Sequence, residues 1–520
     1  MKRHLSDIIF IAVVFLVVVV TTTLPYWLQA RHAPPGQHFG GLIFAITDQN
    51  SYLMWMRQAA QGQVFWRDLM TTDPHEPFYT NLLWLALGRL AGRPERLLLA
   101  YHAARIGLAL VLLIALYALL GTVLRGPWER RVALLLIVFG DGLFWLFFRL
   151  HHLGPEGVAA GTEAFWAPEL LAWPSLALLP HFVAGMAAMA GVFYLALAAY
   201  ARPRRWGWYA GAGGLLLAVL AGFHVYDVVT VGAVLVAHAL VVRRAGKAPP
   251  HALPALAVIL APGVVATLLV EIMLARSPLG QAWEHANLML SWSPLTYAVG
   301  LGVPLIVALA DHRRLFHWRD LSVAEMLPAI WLLVNVPLIF TDGIIPFERR
   351  LVMGMQIPVV MLAVATWGKY LVPRLGRPLV GWAILLALTC PGLALRISYY
   401  ATHPDYVSDD FLAAAHTLAA LPPGSGVLCR GALGNWLPQL TGQAVYVGHN
   451  ELSPDARQRL AEVRDFFDPT TPDQERRALL VKSRCTYVLA AGDDRAALTG
   501  AWLTPVESRG TVGVWRVQGP

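Results

Sequence analysis

Apolar runs of membrane-crossing length alternate with short polar segments from the N-terminus to about residue 400. Residues 8–28, 97–122, 131–149, 174–200, 252–274, 295–310, 322–340, 351–367 and 378–398 each predict a transmembrane helix. Residues 206–242 are apolar at both ends but interrupted by Gly222-Phe223-His224-Val225-Tyr226-Asp227. That pattern predicts two short crossings with the polar cluster at their apex. The alternative is a single tilted helix, which would bury Asp227 at considerable cost. Residues 77–92, PFYTNLLWLALGRLAG, are apolar but short, and predict a tilted or re-entrant helix. The whole pattern implies about eleven crossings.

Between the first apolar run and the next lies Thr47–Asn81, too polar to span a bilayer. Thr47 or Asp48 is placed to cap a helix running to about Gln61, with Leu53, Met56, Ala60 and Val64 at helical spacing. Such a helix suits the membrane interface. Asp73-Pro74-His75-Glu76-Pro77 then gathers three ionisable groups into a turn.

Past residue 400 the period changes. Segments 426–430, 443–448, 485–490 and 513–517 read as strands, and 454–467 and 473–483 as helices, the latter with acidic charge from Asp473 to Glu475 in its first turn. The expected architecture is a polytopic α-helical membrane domain over residues 1–400, with a catalytic outer loop at 31–92, followed by a small soluble α/β domain over 401–520.

Composition agrees with the pattern: hydrophobic residues make up 57% and charged residues 14%, against roughly 25% charged in a soluble protein. The formal net charge of +8 does not point to nucleic acid. Lys and Arg cluster in short loops, as the positive-inside rule requires, and suit anionic lipid head groups. The N-terminus with Lys2 and Arg3, RGPWERR, RPRRW, RRAGK, DHRRLFHWRD and KYLVPRLGR all fall on one side of the predicted crossings. This predicts a multi-pass plasma-membrane protein with its N-terminus in the cytoplasm and its C-terminal domain outside. Phe347-Glu348-Arg349-Arg350 is an exception, an arginine pair on the outer side at the mouth of a helix. Of the three cysteines, Cys390 falls in an apolar run, while Cys429 and Cys485 stand beside strand-like segments, with a disulfide between them left open.

Ionisable residues gather on the predicted outer face: Asp48, Asp73, His75 and Glu76; then His151, His152, Glu156, Glu163, Glu169 and His181; then His224 and Asp227; then Asp342, Glu348, Arg349 and Arg350. A cleft lined with carboxylates and arginines suits a reaction on a phosphorylated lipid. Arginine grips phosphate bidentately. A carboxylate takes a proton from an acceptor hydroxyl, or holds a divalent metal. Each group also has a structural alternative: a helix cap for Asp48, solvated turn residues for Asp73 to Glu76, a mutual pair for His224 and Asp227, and snorkelling arginines.

An Asp opening the first outer loop, Tyr52 four residues on, Ala59-Ala60-Gln61-Gly62, Pro77-Phe78-Tyr79, Trp84 and Gly88 together resemble the GT-C-fold membrane glycosyltransferases. Within that group the nearest in style are the polyprenyl-phosphate-sugar-dependent enzymes, bacterial relatives of protein O-mannosyltransferases and lipid A aminoarabinose transferases. Residues 347–358, FERRLVMGMQIP, and the tail from Pro438 to Ala490 also resemble bacterial members. The chain departs at Asp48-Gln49, where many members have Asp-Glu, and at His75-Glu76-Pro77-Phe78, where many have Lys-Pro-Pro-Leu. What the resemblance implies is a polyprenyl-phosphate sugar donor, a glycan, lipid or protein acceptor, and catalysis by Asp48 as general base. Arg349, with Arg350, would bind the departing phosphate. Asp73, His75, Glu76, His224, Asp227 and Glu348 would orient substrate or a divalent metal. The rival readings are a transporter or flippase for lipid-linked saccharides, for which Asp141 and Glu271 speak, and a non-catalytic membrane assembly protein.

Overall fold

A computed structural model describes residues 2–151, 161–166, 168–422, 424–498 and 500–518; His152 and Glu156 lie outside the described residues. Among the described residues, six helices are long and apolar enough to cross a membrane: His4–Arg31, Pro94–Val123, Pro180–Ala201, Tyr226–Arg244, Ala252–Ala275 and Glu348–Tyr370. Two bent pairs, Pro127–Phe139 with Phe144–Leu150 (46°) and Pro378–Thr389 with Gly392–Thr402 (40°), bring the number to as many as eight if each pair is one span. Leu82–Ala91, Pro294–Ala310 and Val323–Leu338 are apolar but shorter. The expected crossings near 295–310 and 322–340 fall on two of these. Pro294–Ala310 is further broken at Gly302, whose φ of 56° interrupts the helix. The residues around Gly222 do divide two helices, Trp206–Ala221 and Tyr226–Arg244.

The chain divides into two compact units. The first comprises Met1–Pro25, His102–Val270 and Leu288–Thr402 and holds most of the apolar helices. Its two bent pairs meet at their breaks. The Asp141 N–H donates to the Thr389 carbonyl at 3.2 Å, and Arg396 Nε donates to Asp141 Oδ1 at 2.8 Å. Arg396 Nη1 also donates to the Phe165 carbonyl at 2.6 Å, and neither side chain of the pair has any exposure. Asp141, which as an unpaired intramembrane carboxylate would favour a transport pathway, is thus half of a buried ion pair that joins interrupted helices.

The second unit comprises Tyr26–Tyr101, Glu271–Asn287 and His403–Pro520. Its sheet runs, by residue range, 444–445, 426–428, 485–491, 512–517, 503–509. The first three strands are parallel and the last two antiparallel. Helices Ala456–Phe466 and Asp473–Ser483 stand where the sequence pattern puts them, and Asp409–Ala419 and Gly431–Thr441 are additional. The strand Leu503–Arg509 escaped the alternation test because it lies at the sheet edge, mostly exposed, with Pro505 inside it. Cys429 and Cys485 are buried free thiols.

The Thr47–Asn81 stretch belongs to this unit, where it forms helix Ile46–Ala60. Neither Thr47 nor Asp48 caps it: Ala45, in the left-handed region, precedes the first turn without a side-chain cap. Phe44 and Ala45 both have positive φ (49° and 45°), a conformation costing about 1–2 kcal/mol per residue. The buried Gln49 amide secures the entry by donating to the carbonyls of Ile43 (3.0 Å) and Phe44. The helix buries polar as well as apolar side chains. Besides Leu53 and Met56 it buries Gln49, Asn50, Ser51 and Gln58, and it packs against helices Leu82–Ala91 and Gly431–Thr441.

Candidate active site

Asp48 lies in the first turn of helix Ile46–Ala60, where the unsatisfied N–H groups favour negative charge. The helix is fastened along its length. Asn50 Nδ2 donates to Asn435 Oδ1 at 2.8 Å, and Asn435 Nδ2 donates to the Thr47 carbonyl at 3.2 Å. Arg57 donates to the carbonyls of Gln439, Leu440 and Thr441, satisfying the C-terminal end of the partner helix. Tyr52 stacks on Trp84 with ring centroids 4.6 Å apart. Gly88 permits the close approach: a Cβ there would lie 2.4 Å from the Met56 carbonyl oxygen. Tyr52, Trp84 and Gly88, three positions that carried the family resemblance, therefore pack the helix that bears Asp48.

The turn that follows strand Ala444–Val445 brings a partner that the sequence pattern did not reveal. His449, 8% exposed, places Nε2 3.1 Å from Asp48 Oδ1. Glu451 joins them: among the described residues, one ligand atom from each of Asp48, His449 and Glu451 lies within 4.8 Å of the others. The Asp48 side chain is 45% exposed, so one carboxylate oxygen is held while the group remains open to a substrate. Burial lowers the His449 pKa, but the hydrogen bond to Asp48 and the charges of Asp48, Glu451 and Asp68 outweigh it and move the value upward. A structural feature opposes that drift: the N–H groups of Glu451 and Leu452 both donate to His449 Nδ1, at 3.1 and 3.3 Å, where a second proton would have to sit.

Those two amides also decide how well the three residues suit a metal ion. A ligating imidazole ordinarily donates its other N–H to an acceptor, and here Nδ1 meets donors instead. The carboxylates suit a cation, but the histidine does not present a bare Nε2, so the three residues do not fit a three-ligand site.

Asp73, His75 and Glu76 make contacts of their own, separate from those of Asp48 and His449. Asp73 pairs with Arg459, which also donates to Thr71 Oγ1 (2.9 Å) and the Tyr446 carbonyl (3.1 Å). Both ring nitrogens of His75 are engaged: Nε2 accepts from the Asp68 N–H (2.9 Å) and Nδ1–H donates to the Asp73 carbonyl (2.7 Å). Burial holds the His75 pKa below its ordinary value. These two residues shape the turn. Glu76 is exposed and lines an open cleft of about 1120 Å³ together with Gln61, Arg67, His75, Gln443 and Arg484. Beneath it, Asp68 is buried, accepting from the Met70 N–H and the Trp283 indole (2.8 and 3.2 Å); burial pushes its pKa up to about 7.

The other predicted residues lie in the first unit. Glu348 is buried, and its carboxylate accepts from the Ser291 N–H, the Thr341 N–H and hydroxyl, and the Gly343 N–H. It ties the turn through Asp342 and Gly343, both at positive φ. Four donors from the protein occupy this carboxylate, where the sequence reading expected it to orient substrate or metal. Arg349 is partly exposed, with Nε 3.8 Å from Glu169 Oε1 and the guanidinium 4.9 Å from the Trp292 ring centroid. Arg350 stacks over Tyr226 at 5.2 Å. His224 and Asp227 pair at 3.0 Å and are buried, as the mutual-pair alternative requires, with the His181 ring 5.8 Å from that of His224.

No family model matches the chain, and no curated protein matches it in sequence. Solved structures do match its fold. The Archaeoglobus fulgidus oligosaccharyltransferase in complex with Zn and sulfate aligns with a TM-score of 0.58 at 12% identity, over 93% of this chain and 68% of that one. The same organism's AglB, in complex with an inhibitory peptide and a dolichol-phosphate, aligns at 0.57 and 11%, over 91% and 69%. ArnT from Cupriavidus metallidurans, bound to undecaprenyl phosphate, aligns at 0.50 and 16%, over 96% and 97%. The resemblance read from the sequence is thus matched in the fold: the chain has the GT-C architecture.

Proposed function

We propose that this chain is an integral-membrane glycosyltransferase that moves a sugar from a polyprenyl-phosphate donor to an acceptor hydroxyl on the extracytoplasmic face. The observation that carries the reading is Asp48: a carboxylate in the first turn of a buried helix, held at one oxygen and open at the other, within a GT-C fold. Asp48 takes the acceptor proton as the acceptor oxygen attacks the anomeric carbon. The bond from that carbon to the phosphate oxygen breaks, and the polyprenyl phosphate leaves with the electron pair. No step in this reading runs through a metal ion.

Arg349 serves the departing phosphate. It is partly exposed, and its nearest carboxylate, at 3.8 Å, is loose enough to be exchanged for a phosphate oxygen. Arg350 adds positive charge from the neighbouring position. The two structural relatives with dolichol-phosphate and undecaprenyl phosphate support a lipid-linked donor, and the inhibitory peptide in one of them supports an extended acceptor. The cleft beside Glu76 is large enough for part of a glycan, lipid head group or peptide acceptor. The N-terminus is cytoplasmic in this reading and residues 401–520 are extracytoplasmic, with about eleven crossings when Trp206–Ala221, Pro294–Ala310 and Val323–Leu338 are added to the eight.

The decisive experiment is a transfer assay in reconstituted membranes with a radiolabelled polyprenyl-phosphate sugar, comparing wild type with Asp48→Asn. Transfer by wild type and its loss in a variant that keeps its thermal transition supports the reading; undiminished transfer by Asp48→Asn removes Asp48 as the base.

A further inference from the structure

The contacts of His449 identify which ring nitrogen carries hydrogen. Nδ1 receives two backbone N–H groups, from Glu451 and Leu452. It is therefore the acceptor nitrogen, and a neutral imidazole then bears its hydrogen on Nε2. Nε2 is the atom 3.1 Å from Asp48 Oδ1. The turn that supplies the two amides is itself fastened. Ser453 Oγ accepts from the N–H groups of Gly448 and His449 (3.1 and 3.2 Å) and donates to the Met70 carbonyl at 2.7 Å.

We infer that His449 is a positioning residue for Asp48, a fixed Nε2–H donor that holds Oδ1 and leaves Oδ2 for the acceptor proton, and is not a metal ligand. The inference rests on the reading of Asp48 as the base. To free Nε2 for a metal, the hydrogen would have to move to Nδ1, where it would face the two backbone N–H groups head on. The ring is buried, with both nitrogens already engaged. Orienting one carboxylate oxygen fixes the direction of the other, which proton transfer at hydrogen-bond distance requires.

The test uses the full chain in detergent micelles with ring-15N-labelled histidine, the His449 signal being the one lost in His449→Gln. The expected signal is that of the Nε2–H tautomer, unchanged by added Zn2+ or Mg2+; an Nδ1–H signal, or one that shifts with either cation, overturns the proposal. Transfer kinetics supply the second readout. A glutamine amide in this position can donate to Asp48 but ligates metals poorly. His449→Gln should therefore keep kcat within about threefold, while His449→Ala loses about 10–100-fold in kcat with donor KM little changed. Equal loss in both variants, accompanied by loss of Zn2+ binding, also overturns it. If wild type transfers no sugar, the glycosyltransferase reading fails, and the tautomer measurement still decides the bond between His449 and Asp48.

Discussion

Asn50 and Asn435 hold each other side chain to side chain at 2.8 Å, and Asn435 returns its amide to the Thr47 carbonyl, one residue before Asp48. Two buried amides thereby join the helix that carries Asp48 to helix Gly431–Thr441, which precedes the turn of His449. The position of Asp48 is consequently set by residues far from it in the chain.

Asn435→Leu should leave Asn50 Nδ2 and the Thr47 carbonyl without these partners, which costs about 1–3 kcal/mol. Thermal unfolding in detergent measures that loss. Transfer activity should fall further than stability alone explains, because the Asp48 turn is released.

Gly88→Ala places a methyl 2.4 Å from the Met56 carbonyl oxygen and 2.6 Å from Ala59 Cβ, both on the helix bearing Asp48. Separating the two helices should cost about 1–3 kcal/mol. The expected outcome is a lowered Tm and reduced transfer; an unchanged Tm would show that the helices are not packed this closely.

Arg396→Met leaves Asp141 buried without its cation and should destabilise the protein by about 3–5 kcal/mol. Arg396→Met with Asp141→Leu should recover much of that loss. Expression yield and detergent unfolding compare the three proteins.

Asp68 makes stability fall as pH rises. Its folded pKa is raised to about 7 from the ordinary carboxylate value of 3.8. Between those values the folded state binds more protons than the unfolded one, so this group's stabilising contribution is complete below about pH 4 and is lost as pH rises through about 7. Asp68→Asn should flatten that part of the stability profile, as followed by thermal unfolding from about pH 4 to about pH 8.

Arg349→Ala should raise the donor KM and lower kcat by about 100-fold, the scale expected for removing one charge-stabilising donor, while Arg349→Lys retains part of the activity because it keeps the charge without the bidentate fork. An effect confined to the acceptor KM would remove Arg349 from the phosphate.

By itself the sequence determined the membrane class, most helix positions and the split at Gly222, and it singled out the Asp48 stretch as polar and short of a span. These follow from local periodicity and from the cost of placing polar groups in hydrocarbon, which are properties of neighbouring residues. The role of each polar residue in that stretch was decided elsewhere. Glu348 looked like a substrate group beside two arginines, yet its carboxylate is consumed by the turn at Thr341–Gly343. His75 reads in the sequence as a group that orients substrate or metal, while in the structure both its nitrogens close a turn. His449, just after the strand-like run 443–448, carried no local signal that set it apart as a partner of Asp48. It became the partner of Asp48, 401 residues earlier, only because a parallel sheet and the helix Gly431–Thr441 bring its turn there. Side-chain chemistry is legible in the sequence, but which lone pairs and hydrogens remain available is a property of tertiary contacts, and that availability separates a site from a scaffold.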